Sequence, residues 1–124
     1  IDYVAYREIQ EYFDKAKLYV CTSELEGFPN TFIQACLGGT PILSYNINPG
    51  NMIDKYNLGC SCSDSSKKAI EFIRKLNREL LLEYKDNMLL YLVHKHNIYN
   101  TVKKYLELID EKFKYEAEEL GGIY

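Results

Sequence analysis

Two short apolar runs with a loop and a helix between them constrain the fold more than any other part of this chain. The runs occupy residues 18–22 and 41–44, and both are typical of buried strands. An acidic, Gly-containing loop leads into a helix that is predicted to begin at Pro29 or Asn30 and to end at residues 38–39. This order places the unpaired N–H groups of a helix N-terminus beside the end of a strand, where a phosphate can bind.

The remaining chain alternates in the same way and then becomes helical. Apolar spacing predicts a strand end at 1–4, helices at 7–17 and 51–56, a strand at 60–62, a helix from 65 with a break near Asn77, and a last helix at 98–113. Short strands that alternate with helices indicate a parallel sheet. The predicted fold class is therefore α/β, with a partial Rossmann-like parallel sheet, half of a doubly wound sheet, and a helical C-terminal third.

Length and charge limit the classes of function. The 124 residues suffice for one domain, and the net charge of -3 gives no reason to expect nucleic acid as a partner. No apolar run reaches the roughly 18 to 20 residues that a membrane helix requires. The Lys pairs at 67–68 and 103–104 are predicted to lie on solvated helix faces. The chain begins without Met, and we expect it to be a piece of a longer protein.

The cysteines and histidines predict no metal site. Cys21 and Cys36 lie in apolar contexts, where a free thiol behaves as a small hydrophobic group. The sequence Cys60-Ser61-Cys62 lacks the usual zinc spacing and is predicted to be a strand of small residues. Residues 94 and 96 are the two histidines, and their spacing puts them on different helix faces. This use of cysteine suits a reducing compartment.

One motif resembles a known family. The loop Glu26-Gly27-Phe28-Pro29-Asn30, the helix Thr31–Cys36 and the turn and strand Gly39–Ile42 closely resemble the signature of the group 1 retaining glycosyltransferases of family 4, which have the GT-B fold. In that family a second Glu lies on the helix, and Gln34 occupies its place here. The segments 91–97 and 105–109 also resemble the end of the family pattern. The resemblance covers residues 1–113, and residues 114–124 are predicted to be a frayed acidic tail.

The resemblance implies roles for seven residues. Glu26 is the catalytic candidate, because the family places its first Glu near the donor sugar and the reacting centre. The loop and helix residues at the nucleotide diphosphate would be Gly27, Phe28, Pro29, Asn30 and Thr31, and the backbone N–H groups of all of them except Pro29 would be the donors. Gln34 would accept from the ribose hydroxyls without the charge of a Glu. The resemblance implies no metal and no cofactor, since the nucleotide-sugar is a substrate.

The implied reaction is the transfer of a hexosyl-type sugar, with retention, from a UDP-, GDP- or ADP-linked donor to a hydroxyl acceptor. The acceptor, a sugar, glycan or lipid-linked molecule, would bind a missing N-terminal domain, as in polysaccharide or glycoconjugate biosynthesis. This chain would contribute the donor site and be inactive alone. The family implies a cytoplasmic location, with the inner face of the membrane as the alternative. An isolated half sheet also leaves an edge and an apolar face uncovered, which predicts self-association.

Other interpretations remain open for the same residues. Taken singly, Phe28 and Phe32 are predicted to be core residues, and Glu24 and Glu26 to be solvated loop charges. Gln34 in place of Glu favours a non-catalytic nucleotide-binding or scaffold module with the same fold. A flavodoxin-like or receiver-like domain is a further class, as is a nucleotide-sugar epimerase of the same two-domain fold. A receiver would require an acidic cluster at its strand ends, and the epimerase would require catalytic groups outside this segment.

Overall fold

The computed structural model describes the backbone of residues 3–119 and the side chains of residues 3–111. The elements in chain order are α1 (Ile9–Lys15), β1 (Tyr19–Cys21), α2 (Asn30–Gly38), β2 (Ile42–Ser44), α3 (Met52–Lys55), β3 (Gly59–Ser61), α4 (Ser66–Lys75), α5 (Arg78–Lys95) and α6 (Ile98–Glu119). A 3-10 turn at Pro49–Asn51 precedes α3. The chain forms two compact units, residues 1–92 and residues 93–124.

The sheet of the first unit is parallel and small. Its strand order is β1-β2-β3, and the register aligns Tyr19 with Ile42 and Ile42 with Gly59. Each strand therefore pairs with the one that follows it in the chain, and helices occupy the connections. The predicted fold class, a partial Rossmann-like parallel sheet with a helical C-terminal part, is confirmed.

Two apolar clusters lie on opposite faces of the sheet, because successive residues of a strand point to opposite faces. Ile42 belongs to the larger cluster, which holds buried residues of α1, α2, α3 and α5 such as Phe13, Phe32 and Ile53. Leu43 belongs to the smaller cluster, where residues of α4 pack. The central strand β2 is thus covered on both faces, as a buried parallel strand requires, whereas Val20 of the edge strand β1 is 52% exposed.

Local chemistry explains several element ends. Ser65 caps α4, since its side-chain oxygen accepts from the Lys68 N–H at 3.3 Å. Asn77 interrupts the helical C-terminal part, and its Oδ1 accepts from the Leu80 N–H at 2.9 Å. Gly39 ends α2 in the left-handed conformation, with φ of 66°. The predicted break near Asn77 and the predicted end of α2 are both confirmed.

Two boundaries differ from the prediction. Tyr3 and Val4 are not in a strand, so a strand end there is wrong; among the described residues only β2 pairs with β1. Residues 1 and 2 lie outside the described part. Helix α6 continues past Phe113 to Glu119, through the good helix formers Lys, Glu and Ala. It enters the segment predicted to be a frayed tail, whose residues 120–124 are also outside the described part.

The second unit consists of the end of α5 and helix α6. The predicted apolar stripe of α6 is exposed at Ile98, Val102, Leu106 and Ile109. The stripe's last member, Phe113, lies beyond the described side chains. Within the described part of the chain, no helix has the combination of length and hydropathy needed to cross a bilayer.

Candidate functional site

The N-terminus of α2 lies at the edge of the sheet where the parallel strands end. Strand β1 ends at Cys21, and the loop that follows leads through Pro29 into the first helical residue, Asn30. Pro29 is extended, with φ of -74° and ψ of 117°, and its carbonyl accepts from the Phe32 N–H at 3.0 Å. The amides of Asn30 and Thr31 come before any helical carbonyl that could accept from them. The carboxyl edge of the sheet therefore presents backbone donors, as an anion site requires.

The predicted loop residues are mostly solvent-accessible. Glu26, Gly27 and Asn30 are exposed, whereas Pro29 is buried and fixes the entry into α2. Phe28 is 45% exposed, so its prediction as a core residue is wrong, because the loop extends past the strand ends that the core covers. Residues 26–29 immediately precede α2 in the chain, and Asn30 is its first residue.

Glu26 is held by its own loop. Its Oε1 accepts a hydrogen bond from the Ser23 hydroxyl at 2.5 Å. The exposed carboxylate thus has a fixed neighbour on the strand side of the loop, while its other oxygen remains an acceptor. Glu24 is exposed as predicted for a solvated charge. The loop that leads into α2 consequently carries two exposed acidic side chains.

Phe32 and Gln34 lie on different sides of α2. Phe32 is fully buried, which confirms its prediction as a core residue. Gln34 is half-buried and follows Asn30 by four residues, so both lie along one face of the helix. The Gln34 carbonyl accepts from Gln10 Nε2 of α1 at 3.1 Å. Within residues 3–111, no hydrogen bond engages its side-chain amide, which is available to a ligand.

Tyr19 joins the site from the sheet and is not among the residues that the sequence motif indicates. Its hydroxyl donates to Thr31 Oγ1 at 2.9 Å, which links β1 to the first turn of α2. Burial raises the pKa of the Tyr19 hydroxyl, and the bond to Thr31 opposes that rise only in part. The hydroxyl consequently stays protonated and remains a donor. A contact between residues twelve apart in the chain leaves no periodic signal that the sequence could have shown.

The loop after β2 contributes a second ordered group at the same edge. Asn48 Oδ1 accepts from the Ile53 N–H at 3.0 Å, and its Nδ2 donates to Asn51 Oδ1 at 3.0 Å and Asp54 Oδ2 at 2.7 Å. Gly50 and Asn51 have positive φ, at 58° and 59°. Asn48 therefore organises the turn. The sequence Asn-Pro-Gly-Asn is a turn signal that could have indicated this role.

The last residue of β2 carries an unsatisfied hydroxyl. Ser44 is fully buried, and its Oγ has no hydrogen-bond partner among the described residues. Buried polar atoms are seldom left so in native proteins. The neighbouring strand is better satisfied, since the Ser61 carbonyl accepts from Lys68 Nζ at 2.6 Å. The carboxyl edge thus combines fixed donors with one free buried hydroxyl.

The thiols are structural. The Sγ atoms of Cys60 and Cys62 lie 3.9 Å apart within the smaller cluster. Burial raises the pKa of Cys60 to about 11 and that of Cys36 to about 12, which disfavours the reactive thiolate. Across the described residues, no three His, Cys, Asp or Glu side chains form a group that could hold a metal ion.

The comparisons with known proteins connect this edge to a family. The family model described as "Glycosyl transferases group 1" matches residues 1–83, which include β1, α2, β2, α3, β3 and α4. No curated protein and no solved structure matches the chain. The matched residues are two-thirds of the sequence and contain the whole parallel sheet. The chain therefore belongs to the group 1 glycosyltransferases.

Proposed function

We propose that this chain is the nucleotide-sugar donor-binding part of a retaining family 4 glycosyltransferase with the GT-B fold. The observation that carries the proposal is the position of the α2 N-terminus, at the carboxyl edge of the sheet and inside the segment matched by the family. Ligands of open α/β sheets bind in the crevice outside the carboxyl ends of the strands. Membership of a sugar-transferring family makes a nucleotide-sugar the ligand that suits this edge.

The diphosphate is assigned to the backbone donors of the loop and the first turn of α2. The N–H groups of Gly27, Phe28, Asn30 and Thr31 are the proposed donors, and buried Pro29 sets the direction in which α2 begins. The helix dipole adds about 0.3 to 1 kcal/mol for an anion at an exposed N-terminus. No acidic residue lies in the first turn of α2 to compete with a phosphate.

The ribose is assigned to Gln34. Its side-chain amide lies one helical turn beyond Asn30 and keeps a carbonyl oxygen that can accept from a hydroxyl. A neutral acceptor forms a bond about half as strong as that of a carboxylate. The proposed site accordingly binds the ribose more weakly than a site with Glu at this position.

Glu26 is assigned to the reacting centre beside the donor sugar. In the proposed reaction the acceptor hydroxyl attacks the anomeric carbon on the face that the diphosphate leaves, and the bond from that carbon to the diphosphate breaks. The departing diphosphate takes the proton of the hydroxyl, so no protein base is required. The carboxylate of Glu26, steadied by Ser23, would lie near the positive charge that develops on the sugar. A cytoplasmic location and an acceptor bound by another domain remain predictions.

A ligand-observed NMR titration of this chain with UDP, GDP and ADP tests the donor site. We expect saturation transfer to the ribose and base of one nucleotide, and a weaker signal for Gln34→Ala. The exposed residue Asn100 of α6 offers a matched control, Asn100→Ala, which should bind like the unmodified chain. Absence of binding by all three nucleotides at millimolar concentration would contradict the proposal and favour the scaffold module that Gln34 suggests.

A further inference from the structure

The ring of Tyr19 is held in place independently of its hydroxyl. It packs against Phe13 of α1 with ring centroids 5.3 Å apart and against Phe32 of α2 at 6.1 Å, edge to face. The hydroxyl then reaches Thr31 Oγ1, at the second residue of α2. Removal of the hydroxyl alone would therefore leave the aromatic packing and remove the hydrogen bond to Thr31.

The direction of that bond determines what the Thr31 hydroxyl can do. Tyr19 is the donor, so Thr31 Oγ1 accepts and its own proton is left for another acceptor. A Thr inside a helix usually donates to the carbonyl three or four residues earlier. Thr31 is in the first turn, where the residues that precede it belong to the loop. Within the described residues, the Thr31 hydroxyl has no hydrogen-bond acceptor.

We infer that Tyr19 is a positioning residue that orients the Thr31 hydroxyl as a side-chain donor to the diphosphate of the nucleotide-sugar. The inference rests on the proposed function, and it adds a side-chain contact to the backbone donors described above. Because Tyr19 lies on β1, its bond to Thr31 would fix the direction in which the Thr31 hydroxyl donates. A phosphate oxygen is the acceptor that the backbone amides of Asn30 and Thr31 would bring to this position.

The test compares four variants in protein-observed NMR titrations with UDP, GDP and ADP and with the corresponding nucleosides. We expect Tyr19→Phe to weaken diphosphate binding about three- to tenfold and Thr31→Val to weaken it about tenfold or more. The double variant should bind no more weakly than Thr31→Val, because both changes remove one shared contact. Thr31→Ser keeps the hydroxyl and should stay within about twofold of the unmodified chain.

Binding of the nucleosides distinguishes a positioning role of Tyr19 from a general effect of its substitution on the structure. Tyr19→Phe should leave nucleoside binding unchanged, since a nucleoside has no phosphate for Thr31 to contact. Equal weakening of nucleoside and diphosphate binding, or unchanged diphosphate binding, would overturn the inference while leaving the proposed function in place. Failure of the unmodified chain to bind any diphosphate would instead overturn the proposed function and this inference together. Urea unfolding of each variant verifies that the chain is folded.

Discussion

Thr40 Oγ1 donates a hydrogen bond to the backbone carbonyl oxygen of Phe13 at 2.5 Å, and it thereby ties the turn before β2 to the end of α1. The side chain is 1% exposed, so water cannot replace this partner. The same hydroxyl lies 3.2 Å from the Ala16 carbonyl. One buried side chain therefore fixes the packing of α1 against the sheet that supports the candidate site.

Thr40→Val should destabilise the chain by about 1 to 3 kcal/mol, because it keeps the shape of the side chain but leaves the Phe13 carbonyl without that donor. The free energy of unfolding in urea measures the loss. Thr101→Val is the matched control, since Thr101 bonds the Asn97 carbonyl at an exposed position and should change stability by less than about 0.5 kcal/mol. Equal effects of the two changes would contradict the role assigned to Thr40.

Ser44→Ala should leave stability unchanged or raise it by up to about 1 kcal/mol. The buried hydroxyl has no partner among the described residues, so its removal ends a desolvation cost without breaking a bond. Urea unfolding again provides the measurement. A destabilisation of more than about 1 kcal/mol would show that the hydroxyl has a partner in solution, such as a buried water.

Gly59→Ala should unfold the chain or cost more than about 4 kcal/mol. A Cβ atom at Gly59 would lie 2.0 Å from the Ile42 carbonyl oxygen of the paired strand, and φ there is +147°. Backbone atoms cannot move aside as a side chain can. Gly27→Ala is the control, because its Cβ would meet no atom within 4 Å. Circular dichroism during urea unfolding compares the two, and a mild effect at Gly59 would argue against the β2–β3 register.

Stability should fall in alkaline solution. The pKa of Cys36 rises from 9.0 to about 12 on folding, because burial disfavours the thiolate. The folded chain thus holds a proton that the unfolded chain releases above about pH 9, so stability is full below that pH and declines toward pH 12. Unfolding free energies measured from about pH 8 to about pH 10.5 should show this slope. Burial also raises the pKa of Cys60, so Cys36→Ala should reduce the slope without abolishing it. An unchanged slope in that variant would refute the assignment.

Gln34→Glu should strengthen binding of the nucleotide that the chain prefers. A carboxylate accepts a charge-assisted bond from a ribose hydroxyl, which is about twice as strong as the bond to a neutral amide. The gain should appear for the nucleoside as well as for the diphosphate, since the contact is to the ribose. Calorimetry or NMR titration measures it. A weaker complex would mean that Gln34 does not face the ribose.

The sequence predicts those features of the fold that depend on residues close together in the chain. The strand β2, the cap of α4 at Ser65 and the left-handed end of α2 at Gly39 each follow from residues within a few positions. The Tyr19–Thr31 bond and the Thr40–Phe13 bond join residues 12 and 27 apart, and only folding brings them together. Phe28 is exposed, contrary to its prediction as a core residue, because a single apolar residue in a loop belongs to no periodic pattern that would indicate burial. The roles of Glu26 and Gln34 stay predictions.

The order of the three strands bears on how the chain acquires its structure during synthesis. Each strand pairs with the next in the sequence, so every pairing closes a loop of modest length. Once residues 19–44 have left the ribosome, β1, α2 and β2 are complete and can associate before β3 leaves it. The first turn of α2 would then be placed beside the sheet early. Vectorial folding of this kind shortens the time for which the apolar strands are exposed to other chains.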